Sequence, residues 1–72
     1  MKCISCYCYN GEEYRLYVDV DSKTWFVLLP SFKITKYMNN RSIPEAAREV
    51  FEKRLGQFDR GEIHFKGDNM LP

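Results

Sequence analysis

Two runs of alternating apolar and polar residues flank an Asn10-Gly11 pair, and this arrangement constrains the fold more than any other feature of the chain. Residues 3–9 and 14–21 both show the two-residue period of β-strands. The Asn-Gly pair is strongly preferred in the tight turns of β-hairpins. We therefore predict a hairpin with a three-residue connection and a bulge at Gly11, because that register pairs the even positions of both strands.

The hairpin is expected to continue into a larger antiparallel sheet. A loop of two or four residues within "DSKT" predicts a third strand over 25–29, which is apolar on both faces. This strand would set Trp25, Val27 and Leu29 beside Val20, Val18 and Leu16. Pro30 cannot donate to a strand ladder, so the alternating run 32–38 is either a fourth strand or the third strand continued beyond a bulge.

One amphipathic helix is predicted over roughly residues 43–57. Ser42 and Glu45 have the spacing of a capping box, with Pro44 in the first turn and Gly56 weakening or ending the last. Apolar side chains then recur at intervals of three and four residues, as one face of a helix requires. These residues are Ile43, Ala47, Val50, Phe51, Leu55 and Phe58.

A last short strand over 61–66 completes the order β-β-β-(β)-α-β. We predict an α+β fold, a two-layer sandwich in which the helix packs on one face of an antiparallel sheet of four to five strands. The length suits one small domain over 1–66, followed by a flexible C-terminal tail over 67–72.

Eleven Lys and Arg residues stand against ten Asp and Glu, and both signs are scattered along the chain. This balance argues against a strongly basic nucleic-acid binder. No apolar run approaches the roughly 20 residues that span a bilayer, and "MKCISCYCYN" lacks the apolar segment of a signal peptide. We therefore expect a cytoplasmic protein without a membrane partner.

Three cysteines and the single histidine form a candidate zinc set, because thiolates and imidazole are the usual ligands of structural zinc. The spacing disfavours it, since Cys3 and Cys6 are expected on opposite faces of a strand and no second close pair of ligands exists. We expect no metal and no cofactor, with the thiols buried as small apolar side chains. The four candidate ligands are Cys3, Cys6, Cys8 and His64.

Two pairs of titratable residues invite a catalytic interpretation, namely Glu62 with His64 and Asp19 with Asp21. Neither accompanies a nucleophile at a recognisable turn or a glycine-rich phosphate loop. Both pairs are more simply the polar sides of strands. We therefore assign no catalytic residue and expect a protein that is not an enzyme.

The predicted register leaves an aromatic surface on the sheet face away from the helix. Such a face is usually polar, and a contiguous aromatic patch marks an interaction surface. The alternative is that these tyrosines are good strand formers that tolerate water. The predicted partner-binding residues are Tyr7, Tyr9, Arg15, Tyr17, Phe26 and Leu28.

These features predict a small non-enzymatic protein-interaction module with a protein partner, and the same surface would suit pairing of two copies as a homodimer. The alternative is a platform for single-stranded nucleic acid, on which bases stack against exposed rings. In size and build the chain resembles small α+β proteins of phages and mobile elements, including anti-CRISPR-type inhibitors. That resemblance implies an inhibitor that binds and blocks a larger host protein.

Overall fold

The computed structural model describes residues 1–63 of the chain. It confirms the α+β layout, with a four-stranded antiparallel sheet in the order β1-β2-β3-β4 and one helix. No helix among these residues is long and apolar enough to cross a membrane. The elements are β1 (Lys2–Tyr9), β2 (Glu12–Asp19), β3 (Thr24–Leu28), β4 (Ile34–Thr35) and α1 (Glu45–Asp59).

The hairpin between β1 and β2 closes through a two-residue turn. Tyr9 lies opposite Glu12, and both turn residues have positive φ, +51° at Asn10 and +79° at Gly11. This is the combination that a type I′ turn requires, and its twist matches that of the flanking strands. The predicted three-residue connection with a bulge at Gly11 is therefore wrong.

A bulge does occur in the hairpin, but it lies in β1 at Ile4. Cys3 pairs with Tyr17 and Ser5 pairs with Leu16, which leaves Ile4 as the extra residue on its strand. The side chain of Ile4 is only 7% exposed and belongs to the core. The inward positions of β1 are therefore odd-numbered after the bulge, although Ile4 itself also points inward.

The pairing of β2 with β3 keeps the predicted faces but differs from the predicted register by two residues. Trp25 lies opposite Val18 rather than Val20, and Val27 lies opposite Leu16. A shift of two residues returns each side chain to the same face. The predicted core-facing pattern of both strands therefore survives the shift.

The fourth strand is much shorter than the predicted run over 32–38. Backbone hydrogen bonds from Phe32 N to Leu29 O (2.9 Å) and from Leu29 N to Lys33 O (2.8 Å) close a tight loop after β3. Phe32 adopts a positive φ of +64° within this loop. The chain then pairs with β3 through Ile34 and Thr35 alone among the described residues.

Helix α1 begins two residues later than predicted and has no capping box. Pro44 occupies the N-cap position without a side-chain cap, and the backbone N–H of Ser42 donates instead to Asn40 Oδ1 at 2.7 Å. Gly56 does not end the helix, which continues to Asp59. Beyond it, residues 61–63 are not in a strand, and the rest of the predicted strand over 61–66 and the predicted tail over 67–72 lie outside the described residues.

The buried core is formed by residues of the helix, of one face of the sheet and of the segments next to them. Helix α1 contributes Ala47 and Phe51, and it lies closest to β1. Val50, predicted to face inward, is 40% exposed. The core residues are Ile4, Tyr14, Leu16, Val18, Val27, Leu29, Ile43, Ala47 and Phe51.

Candidate functional site

The sheet face that points away from the core is called the open face here. The register places side chains on it in rows across the strands, because directly paired residues share a face. One row runs from Cys6 through Arg15 and Leu28 to Ile34. The open face comprises Cys3, Cys6, Cys8, Glu13, Arg15, Tyr17, Phe26, Leu28 and Ile34.

Four of the six predicted binding residues lie on the open face. They are Arg15, Tyr17, Phe26 and Leu28, which the alternation of β2 and β3 placed there. Their role in binding stays a prediction.

The predicted placement of Tyr7 and Tyr9 on the open face is wrong. The two-residue turn sets Tyr7 opposite Tyr14 and Tyr9 opposite Glu12, on the helix side of the sheet. Tyr7 packs against the core, and Tyr9 remains 45% exposed at the end of the strand.

The same register brings all three cysteines to the open face, where they are exposed as free thiols. The expectation that the thiols are buried small side chains is therefore wrong. A strict type I′ turn at Asn10-Gly11 places Cys6 opposite Arg15, so the sequence did carry the signal. Ile34, 61% exposed beside Leu28, was also missed because its place on the open face depends on the pairing of β4 with β3, which the alternation of residues 32–38 did not define.

Glu13 links a thiol to a guanidinium on this face. Its Oε1 accepts a 2.8 Å hydrogen bond from Arg15 Nε, and its Oε2 accepts one of 3.3 Å from the Cys6 thiol. The bond from Cys6, followed by that from Arg15, lowers the pKa of the Glu13 carboxyl. Partial desolvation, with the hydrogen bond and charge of Glu13, raises the pKa of Cys6 to about 11.

The polar contacts continue into an aromatic pair. Arg15 Nη1 donates to the hydroxyl of Tyr17 at 3.5 Å, and the rings of Tyr17 and Phe26 stack with centroids 5.3 Å apart and planes 16° apart. Hydrogen bonds to Tyr17 and Glu13 raise the pKa of Arg15. The open face thus joins Cys6, Glu13, Arg15, Tyr17 and Phe26 in one chain of contacts.

A surface depression of about 540 Å³ adjoins the open face near the hairpin turn. Carboxylates line one part of it and apolar side chains the other, which gives an amphipathic wall. Phe32 at this site is 85% exposed. The lining residues are Gly11, Glu12, Glu13, Arg15, Leu28, Leu29, Pro30 and Phe32.

The structure groups different potential metal ligands from those that the sequence suggested. The ligand atoms of Cys6, Cys8 and Glu13 all lie within 4.8 Å of one another. Cys3 is not a member of this group, and His64 lies outside the described residues. Glu13 was missed because its proximity to the thiols depends on the register across the hairpin.

Two of the three carboxylates suspected of an acid–base role, those of Asp19 and Glu62, have structural partners. Asp19 Oδ1 accepts hydrogen bonds from the backbone N–H groups of Asp21 (3.1 Å) and Ser22 (3.4 Å), as in a turn stabilised by an aspartate. Glu62 forms an exposed ion pair of 2.6 Å with Arg60. Both arrangements are explained by local structure.

Comparison of the chain with protein-family models, with curated proteins and with solved structures found no match. The functional interpretation therefore depends on the open face and its chemistry.

Proposed function

We propose that the chain is a non-enzymatic protein-interaction module that binds its partner through the open face and the adjoining depression. The observation that carries this proposal is a continuous apolar surface on the side of the sheet away from the helix. Tyr17, Phe26, Leu28 and Ile34 lie on neighbouring strands there, and Phe32 borders them at the depression. Aromatic and aliphatic side chains grouped in this way supply the anchors of protein interfaces.

Phe32 gives separate support to the same surface. A bulky residue with a φ of +64° is conformationally unfavourable, and an aromatic ring that is 85% exposed gains little burial in return. A residue that is unfavourable for the isolated fold is often one that serves function. Burial of the Phe32 ring against a partner would recover the missing hydrophobic stabilisation.

The charges near this surface favour a protein over single-stranded nucleic acid. Glu12 and Glu13 line the depression, and the guanidinium of Arg15 already contacts Glu13. A phosphate backbone would meet carboxylates, and among residues 1–63 no unpaired cation lines the depression to neutralise it. In addition, the stacking of Tyr17 on Phe26 covers one face of each ring, which leaves less surface for bases.

These features fit a protein segment with an apolar anchor and a basic side chain close to it. The anchor would pack on Leu28 and Phe32, and the basic group would lie near Glu12. A chain of 8.6 kDa that binds a larger protein in this way blocks the covered surface, which is how a small inhibitor acts. The inhibitor role is part of the proposal.

The test is a pull-down from nuclease-treated lysate of the source organism, followed by affinity measurements with the recovered protein. Phe32→Ala and Tyr17→Ala should weaken association by about 1 to 4 kcal/mol, because both truncate an anchor. Tyr9→Ala is the matched control, since Tyr9 is a half-exposed aromatic on the other side of the sheet. Circular dichroism of each variant should show an unchanged fold.

Equal affinity of the Phe32→Ala, Tyr17→Ala and Tyr9→Ala proteins would overturn the proposed surface. Binding to oligonucleotides that falls steeply with salt would favour the nucleic-acid alternative instead. A concentration-dependent dimer that Phe32→Ala dissociates would identify a second copy of the chain as the occupant.

A further inference from the structure

We propose that Cys6, Cys8 and Glu13 form a binding site for a thiophilic divalent cation, and that Zn²⁺ is the ion that fits it. This inference does not depend on the protein-binding proposal. It rests on the arrangement of three ligand groups on two paired strands and on the chemistry of those groups.

The backbone brings the three groups together without any loop. Cys6 and Cys8 are two positions apart on β1, so both thiols point to the open face, and Glu13 lies directly opposite Cys8 on β2. The two sulfur atoms and a carboxylate oxygen lie within 4.8 Å of one another. Zn–S bonds are about 2.3 Å long, so two sulfurs on one ion are at most about 4.6 Å apart, and small side-chain rotations satisfy this limit.

In this structure the thiol proton of Cys6 lies between two of the proposed ligand atoms, Cys6 Sγ and Glu13 Oε2. The Cys6 thiol donates to Glu13 Oε2 at 3.3 Å, so this oxygen already points at the sulfur. On binding, each thiol would release its proton to solvent and form a bond to the cation, while Glu13 Oε2 would become the third ligand. No oxidant or reductant takes part in this exchange.

Arg15 supports the carboxylate from the side away from the thiols. It contacts Glu13 Oε1, with 2.8 Å from Nε and 2.6 Å from Nη2, and leaves Oε2 directed at Cys6. Partners of this kind orient a metal ligand and tune its affinity. Two thiolates, a divalent cation and the Glu13–Arg15 pair are together electrically neutral, so the ion adds no net charge to the open face.

Three protein ligands leave one position of a tetrahedral zinc site open. All three ligand residues are exposed, so water has access to that position. Two thiolates with one carboxylate favour a borderline-soft ion such as Zn²⁺ over Mg²⁺ or Ca²⁺, which prefer oxygen ligands.

The test uses the whole chain, stripped of metal by a chelator and kept reduced with a phosphine that does not compete as a thiol. Titration with Zn²⁺ should show one ion per chain, and Co²⁺ should give the absorption bands of a cobalt–thiolate complex. Cys6→Ser and Cys8→Ser should each weaken binding at least a hundredfold, and Glu13→Gln at least tenfold. Cys3→Ser is the matched control, because Cys3 is an exposed thiol of the same strand outside the cluster.

Four results would overturn the proposal. The first is no Zn²⁺ binding at micromolar concentrations by reduced protein. The second is binding that Cys3→Ser or His64→Gln weakens as much as Cys6→Ser does, which would point to the four-ligand set considered from the sequence. The third is one ion per two chains, which would place the ion between copies. The fourth is Zn²⁺ binding that Cys6→Ser and Cys8→Ser leave unchanged, with all variants folded by circular dichroism.

Discussion

Arg54 Nε donates a 2.9 Å hydrogen bond to the backbone carbonyl oxygen of Ile4, and so joins the helix to the bulge of β1. The same guanidinium donates through Nη1 to Gln57 Oε1 at 2.8 Å, which holds it on the helix surface. A bulge disrupts the regular strand ladder, and its backbone groups need other partners. Arg54 thus stabilises the bulge, where the inward-pointing positions of β1 change from even-numbered to odd-numbered residues.

Replacing Arg54 by Met should lower the free energy of unfolding by about 1.5 to 3 kcal/mol, the range for hydrogen bonds that involve a charged group. Met keeps an apolar stem of similar length, so the loss of stability measures the contribution of the hydrogen bonds of Arg54. Chemical denaturation measures the change. Lys53→Met is the control at a neighbouring exposed position and should shift stability by no more than about 0.5 kcal/mol. Equal effects of the two substitutions would contradict the role assigned to Arg54.

Gly11→Ala should destabilise the chain by about 1 to 2 kcal/mol, because a side chain at a φ of +79° is strained. Apart from Gly11 and its two chain neighbours, no heavy atom of the described residues lies within 4 Å of the position that a Cβ would take, so the backbone conformation alone causes the loss. Gly11→Asn should cost less, since Asn tolerates this conformation. Thermal unfolding of both variants measures the difference, and an alanine variant as stable as the asparagine variant would rule out the type I′ turn.

Gly56→Ala should stabilise the chain by about 0.5 to 1 kcal/mol, because glycine in a helix interior has excess freedom in the unfolded state. The added Cβ would lie 3.2 Å from Nη1 of Arg60, at the far end of a flexible side chain that can move aside. The reciprocal control is Ala46→Gly, at an exposed position of the same helix. This variant should lose a similar amount of stability. Denaturant midpoints measure both, and a destabilised Gly56→Ala protein would show that Arg60 cannot move.

Tyr14 should make the stability of the chain depend on pH in the alkaline range. Its side chain is 6% exposed, and burial together with the nearby Glu12 raises the pKa of its hydroxyl. The pKa of a tyrosine in the unfolded chain is about 10. The stabilising contribution of Tyr14 is therefore complete below that pH and is lost as the pH rises through the higher pKa of the folded state.

Stability curves from pH 8 to 11 for the natural chain and for Tyr14→Phe measure this effect by difference, since the other titrating groups are common to both. The natural chain should lose more stability than Tyr14→Phe above about pH 10. Parallel curves would show that Tyr14 ionises in the folded state as readily as in the unfolded state.

The fold class was predictable because the helix and strands have different periods. Apolar spacing placed the helix within two residues of its observed start and end, although Pro44 rather than Ser42 occupies the N-cap position. The alternation of β2 placed Arg15 and Tyr17 on the open face. A polar–apolar contrast separates the two faces of that strand clearly.

The same reasoning failed in β1 because its two faces are chemically alike. Cysteine and tyrosine both tolerate partial burial, so hydrophobicity alone did not distinguish Cys6 from Tyr7. The stereochemistry of the turn decides the register instead. The bulge at Ile4 then places an apolar side chain of β1 in the core. The group of Cys6, Cys8 and Glu13 follows from that register, which is why spacing along the chain did not reveal it.

The bulge at Ile4 also limits how the length of β1 can change during evolution. With the turn fixed at Asn10-Gly11, removal of Ile4 would restore a regular ladder and leave Cys3 opposite Tyr17 on the open face, but it would take an apolar side chain from the core. Loss of a single residue between Cys6 and the turn would exchange inner and outer positions between the deletion and the bulge. Loss of two residues there would shorten the strand and keep each face, so length changes between Cys6 and the turn keep both faces only in even steps.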